Sequence, residues 1–195
     1  IKNYLINEDL ENAVNFPLQD SSELKGISSF LDLADNLGVI HRNISEGPIR
    51  SVEINCYGTL DQIKPISLSF LRSLLQNRVP ERVNFINAET IAKELGIELS
   101  INYSTSDSNY SNLISARVLA KSDIIFEGSV FNDDLPRLVN LMGYKMEVNL
   151  KGTLLFIQND DVPGVVGKVG TILGKNKINI GAYLLSQHSK EKLAF

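Results

Sequence analysis

Between residues 28 and 57 the apolar pattern of the chain changes period, and this switch sets the fold class. Phe30, Leu31, Ala34, Leu37, Ile40 and Ile44 follow the i, i+3, i+4, i+7 spacing of one helix face. Ser28 or Ser29 is placed to cap that helix. After Gly47-Pro48 the period drops to two: Val52, Ile54 and Cys56 alternate with Glu53, Asn55 and Tyr57, the pattern of a half-buried strand over 50–57. Lys64-Pro65 opens a second helix with Ile66, Phe70, Leu71, Leu74 and Leu75 inward. A short third helix is predicted from Asn87, a candidate N-cap, to Leu95, with Gly96 as its C′ residue. Ile97, Leu99, Ile101 and Tyr103 alternate again, and 104–112 is a Ser/Asn/Asp-rich loop. Strands follow at about 113–120, 124–131, 137–141 and 144–150.

Past Gly152 the pattern predicts strand 153–158, loop 159–163, helix 164–175, strand 178–187 and the opening of another strand at 193. That order is the front of a β-α-β-β-α-β ferredoxin-like module. The expected class is α/β (α+β): a mixed α/β middle domain over 21–150, then a truncated ferredoxin-like domain over 151–195. Residues 1–20, Asn-rich and ending at Phe16-Pro17, read as a hinge or linker. The chain opens at Ile1 and stops in an unfinished strand pattern at Phe195, so a longer parent protein is expected.

Composition narrows the function classes. Of 195 residues, 43% are hydrophobic and 22% charged, enough apolar surface for a core. The net charge, 19 − 23 = −4, lacks the footprint of a nucleic-acid binder. No apolar run is long enough for a membrane span and no signal-peptide pattern opens the chain, so a cytoplasmic location is expected. Cys56 is the single cysteine, so no internal disulfide can form. With only His41 and His188 beside it, no all-Cys/His four-ligand zinc site is available, and no metal is expected. Cys56 reads as a buried structural thiol, His41 as a cation suited to the end of its helix, and His188 as a solvated turn residue.

The segment from Leu154 to Gly170 carries the most chemistry. Its glycines, Gly164, Gly167, Gly170 and Gly174, do not form G-x-G-x-x-G, and no acidic ribose anchor stands near Leu184-Leu185. On a helix they share nearly one face, which predicts close packing against a sheet or a neighbouring subunit. The alternative is a small-ligand pocket. Free N–H groups at the helix start would attract a carboxylate, and Asp161 an ammonium. Asn159 and Asn179 would add hydrogen bonds, a set suited to an amino-acid zwitterion.

The run Asn159-Asp160-Asp161-Val162-Pro163-Gly164-Val165-Val166-Gly167-Lys168-Val169-Gly170-Thr171-Ile172-Leu173-Gly174, followed by Ile178-Asn179-Ile180-Gly181, resembles the ACT domain of bacterial-type D-3-phosphoglycerate dehydrogenases. Asn12 to Pro17 resembles that family's hinge. Phe30–Gly38, Tyr57–Leu60, Val83–Gly96 and Phe126–Val139 resemble its intervening, allosteric substrate-binding domain. The resemblance implies the regulatory part of an enzyme that oxidises 3-phosphoglycerate with NAD in the first step of L-serine synthesis. It places the catalytic and NAD-binding domains ahead of residue 1, in cis, and leaves this chain with neither catalytic residues nor cofactor. It implies L-serine as the effector, bound between subunits on Asn159, Asp161 and Asn179 with Val162–Gly164 at the carboxylate, and a homo-oligomer built through the ACT or middle domain. Members whose middle domain binds phosphate carry basic residues near its end. Arg137 and Lys145 are the candidates here, while Tyr144 and Asn149 stand where some members are basic. Two other classes remain open. An iron–sulfur L-serine dehydratase pairs the same two domain types, but its Ser-Ser-Ser-His-Thr signature is absent and one cysteine cannot hold a cluster. The other is a stand-alone amino-acid-binding or oligomerisation module.

Overall fold

A computed structural model describes residues 21–58, 60, 62–105, 110–132, 134–186 and 193–194, with side chains over these residues from Gly26 to Ser186 and at Ala194. The hinge expected over 1–20 and His188 lie outside the described residues. The elements in chain order are helix α1 (Ser21–Ile44), strand β1 (Ser51–Gly58), helices α2 (Ile63–Leu75) and α3 (Ala88–Glu94), and strands β2 (Glu98–Ser104), β3 (Asn112–Leu119), β4 (Asp123–Val130), β5 (Pro136–Leu141) and β6 (Tyr144–Asn149). The short strand β7 (Asn159–Asp160), helix α4 (Val165–Lys175) and strand β8 (Leu193–Ala194) follow. This is the mixed α/β architecture that the change of period predicts.

Strands β1 to β6 form one sheet in the order β2-β1-β3-β4-β5-β6. The β1–β2 pair is parallel, and α2 and α3 supply the crossover that a parallel pair requires. The remaining pairs are antiparallel. Along β1 the apolar residues Val52, Ile54 and Cys56 are buried and their neighbours are half-exposed, so one face of the sheet carries the core. Helices α1 and α2 cover that face. Leu33, Leu37, Phe70, Leu74, Ile114 and Phe126 are fully buried between the layers.

Two glycines permit close approaches. A Cβ on Gly38 would stand 2.5 Å from the Phe70 carbonyl, so α1 and α2 cross backbone to backbone there. A Cβ on Gly128 would meet the side chain of Leu33, so β4 takes α1 directly onto its backbone. Arg78 closes the far end of α1 by donating to the carbonyls of Arg42, Ser45 and Gly47 at 3.2, 2.5 and 3.1 Å. The Arg42 carbonyl is one that a helix end leaves unsatisfied, and those of Ser45 and Gly47 follow just beyond it.

The structure corrects several local expectations. Helix α1 starts at Ser21, so Ser28 and Ser29 lie inside it and cap nothing. Serine is only mildly unfavourable inside a helix, and no proline interrupts residues 21–28. Asn87 does not cap α3 with its side chain: its Oδ1 accepts from the Asn84 N–H at 2.7 Å. The turn is organised by Asn84, whose Oδ1 accepts from the amides of Ile86 and Asn87. Gly96 does sit past the helix end at φ 73°.

After Gly152, segments 153–158 and 178–186 alternate in sequence but form no strand ladder. Among the described residues after Gly152, only Asn159–Asp160 pairs, with Leu193–Ala194. The glycines of α4 are not packed either: a Cβ on Gly164, Gly167, Gly170 or Gly174 would meet nothing within 4 Å, and no residue of α4 is buried. Leu154 and Phe156 do pack on the core, beside a small groove against Val39, Ile40 and Ile44 of α1.

Candidate functional site

The register of β4 and β5 sets Ser129 opposite Arg137. Gly128, the residue before Ser129, faces Leu33 of α1, so Ser129 and Arg137 belong to the sheet face turned away from the helices. There the ends of the two strands and the approach to β3 enclose a cleft of about 440 Å³, lined by Tyr110, Ser111, Ser129, Val130, Phe131, Asn132 and Arg137. The guanidinium of Arg137 lies over the Phe131 ring at 4.6 Å. The Tyr110 ring meets Phe131 edge-on, with centroids 6.0 Å apart.

Asn112, at the start of β3, builds the wall. Its Oδ1 accepts from the Val130 N–H at 3.1 Å and from the Ser129 hydroxyl at 3.2 Å, and its Nδ2 donates to the Val130 carbonyl at 3.2 Å. The β4–β5 turn that carries Phe131 is closed by the Asp134 N–H donating to the Phe131 carbonyl at 2.9 Å. Burial, with the Glu147 and Glu127 carboxylates adding to it, holds the Tyr110 hydroxyl above its ordinary pKa. At neutral pH that hydroxyl is therefore protonated. The Ser129 hydroxyl donates to the Asn112 carbonyl at 2.8 Å, so the polar groups that the cleft offers a compact anionic group are the Arg137 guanidinium and the Tyr110 and Ser111 hydroxyls.

Of the residues expected from sequence, Arg137 lies in this cleft and Lys145 does not line it. Lys145 pairs with Asn140 near the β5–β6 turn, whereas Arg137 pairs with Asn149 at the other end of β6. The Lys145 carbonyl accepts from the Ser186 hydroxyl at 2.7 Å. Tyr110, Ser111, Ser129, Phe131 and Asn132 were not legible as site residues in the sequence. The signal available was the hairpin: once β4 and β5 are taken as neighbours, Ser129 and Phe131 fall beside Arg137.

The amino-acid candidates divide between two places. Asn159, Asp161, Val162, Pro163 and Gly164 form one continuous strand–turn at the start of α4, with Gly164 at φ 94° just before the helix. Asn159 donates to the Asp160 carbonyl at 2.6 Å, and the Val162 N–H to the same carbonyl at 2.9 Å. Asn179 follows the other end of α4, exposed. An eleven-residue helix is about 16 Å long, so within one copy Asn179 stands apart from the others.

The turn after β1, the start of the parallel crossover, holds the single glycine Gly58, and the space beside it is filled by the Ser111 carbonyl, 2.1 Å from where a Cβ would stand. Among the described residues no group of three or more His, Cys, Asp or Glu is placed to hold a metal ion, and no helix is long and apolar enough to cross a membrane.

Residues 26–142 match the family described as the D-3-phosphoglycerate dehydrogenase intervening domain. The chain is 31% identical over 182 residues to the D-3-phosphoglycerate dehydrogenase of Bacillus subtilis (strain 168), covering 92% of this chain and 35% of that protein. It is 32% identical over 187 residues to the enzyme of that name from Methanocaldococcus jannaschii, covering 93% of this chain and 35% of the relative. It is 28% identical over 181 residues to that of Archaeoglobus fulgidus, covering 91% of this chain and 34% of the relative. The chain thus spans about a third of the length of the curated relatives it matches. The family match runs from α1 through β5 and so takes in the Arg137 cleft, and the chain belongs to the D-3-phosphoglycerate dehydrogenase family through that intervening domain.

Proposed function

We propose that this chain is a regulatory region of a cytoplasmic D-3-phosphoglycerate dehydrogenase, and that its intervening domain binds a phosphorylated or other compact anionic ligand at Arg137. The parent enzyme would oxidise 3-phosphoglycerate with NAD on domains other than those described, in the first step of L-serine synthesis. The observation that carries the ligand reading is the cleft itself: Arg137 over Phe131, with the hydroxyls of Tyr110, Ser111 and Ser129 around it. Calorimetric titration of the chain with inorganic phosphate tests it. Saturable binding that Arg137→Ala abolishes is expected, and equal heats from both proteins would refute the site.

A second station, for L-serine, rests on the family resemblance of residues 159–181 to an ACT domain. Asn159, Asp161 and the helix start at Val162–Gly164 would come from one copy and Asn179 from a second, since one copy sets them at opposite ends of α4. Exposed Val166, Ile172, Ile178, Tyr183 and Leu185 give that second copy an apolar surface to cover, which supports a homo-oligomer. Coupling would require L-serine to bind two domain arrangements with different affinity. Asp161→Ala is expected to remove the response of the whole enzyme to L-serine while leaving its activity without L-serine intact. An unchanged L-serine affinity would remove this pocket from the account.

A further inference from the structure

Resting on the reading of the Arg137 cleft as an anion site, we propose that Phe131 is a positioning residue, whose ring pre-sets the Arg137 guanidinium for the ligand. An arginine side chain carries about 2 kcal/mol of rotamer entropy, and a flexible one loses much of it on binding. Here the guanidinium lies over the Phe131 ring at 4.6 Å. A cation held over an aromatic face is attracted to the ring's negative surface, and that attraction favours one placement of the guanidinium plane.

Phe131 is itself held from both directions in the chain. The residue before it, Val130, has its N–H and its carbonyl both bonded to the Asn112 side chain. The residue three on, Asp134, donates its N–H to the Phe131 carbonyl. The Tyr110 ring meets Phe131 edge-on at 6.0 Å, which limits how the ring can turn. Nor does Phe131 belong to the hydrophobic core. A half-buried aromatic outside the core, next in the chain to a residue fixed by the Asn112 amide and stacked on the guanidinium that lines the cleft among the described residues, is arranged for the site and not for the fold.

The ring therefore acts through Arg137 and touches the ligand through nothing of its own polar chemistry. Its replacement by an aliphatic residue of similar size should loosen Arg137 without emptying the cleft of charge.

The test is calorimetric titration with inorganic phosphate of the wild-type chain, Phe131→Leu, Phe131→Tyr and Arg137→Ala, together with the unfolding midpoint of each in the absence of phosphate. Phe131→Leu is expected to weaken binding about fivefold. Phe131→Tyr is expected to stay within about twofold of wild type, because it keeps the aromatic face. The midpoints of the Leu and Tyr variants should agree. If Phe131→Leu binds as wild type while Arg137→Ala does not bind, the positioning role is wrong and the cleft stands. If Tyr weakens binding as much as Leu, the effect is packing and not the aromatic face, and the proposal falls. If the wild-type chain binds no phosphate, the cleft reading fails and takes this proposal with it.

Discussion

His41 is a titratable group inside an apolar layer. It is fully buried, its ring lies 4.4 Å from Phe126 and 5.6 Å from Phe70, and its Nε2 is 3.1 Å from the Ala116 carbonyl. A carbonyl only accepts, so Nε2 carries the proton. Burial pushes the imidazole down from 6.5 to about 4, outweighing the Ala116 bond, so the ring is neutral at pH 7. This overturns the sequence expectation of a cation at a helix end. Leu33, Leu37 and His41 are spaced by four, so His41 lies on the buried stripe; facing, not distance from the terminus, decides its charge. The unfolded chain binds this proton at higher pH than the folded one, so its contribution to stability is complete above pH 6.5 and is lost as pH falls from 6.5 through about 4. That loss is about 3 kcal/mol. Urea denaturation at pH 7 and pH 4.5 should show most of that fall in the wild type and a much flatter profile in His41→Leu; parallel profiles would contradict the assignment. Cys56, by contrast, was legible from alternation alone. It is buried, and burial pushes its thiol up to about 12.

At the scale of elements, the crossing of α1 and α2 is set by the absence of a side chain. With a Cβ at position 38 placed 2.5 Å from the Phe70 carbonyl and 3.0 Å from the Ser73 Cβ, the helices must separate. Gly38→Ala should lower stability by up to about 2 kcal/mol, because overpacking costs about 1–3 kcal/mol against the ~1 kcal/mol gained in helix propensity. An unfolding midpoint that stays or rises would show that the helices slide freely. The helices and the strands of the sheet were legible because each has a period and a neighbour that uses it. The strands expected at 153–158 and 178–187 had the period alone. A strand is held by hydrogen bonds to a partner, and among the described residues only Asn159–Asp160 and Leu193–Ala194 exchange them there. The glycine spacing of α4 likewise predicted a packed face, but no packing follows from a face until something lies against it.

For the whole molecule, the division of labour follows from where the apolar surface went. The sheet and its two covering helices bury theirs and leave the far face of the sheet polar, with the Arg137 cleft at one end of it. The segment after Gly152 leaves Leu155, Val162, Val166, Ile172, Ile178 and Leu185 exposed, the surface on which a second copy is proposed to act. The cleft could not be read from motifs because its parts come from three stretches of chain that only the sheet register brings together. The most direct test of the account is thermal unfolding of the wild-type chain and Arg137→Ala in inorganic phosphate and in chloride at matched ionic strength. At about 100 times its dissociation constant, a specific ligand adds about 2.7 kcal/mol to stability. The account predicts a phosphate-specific rise in the wild-type midpoint that Arg137→Ala lacks; the same rise in both proteins, or none in either, would contradict it.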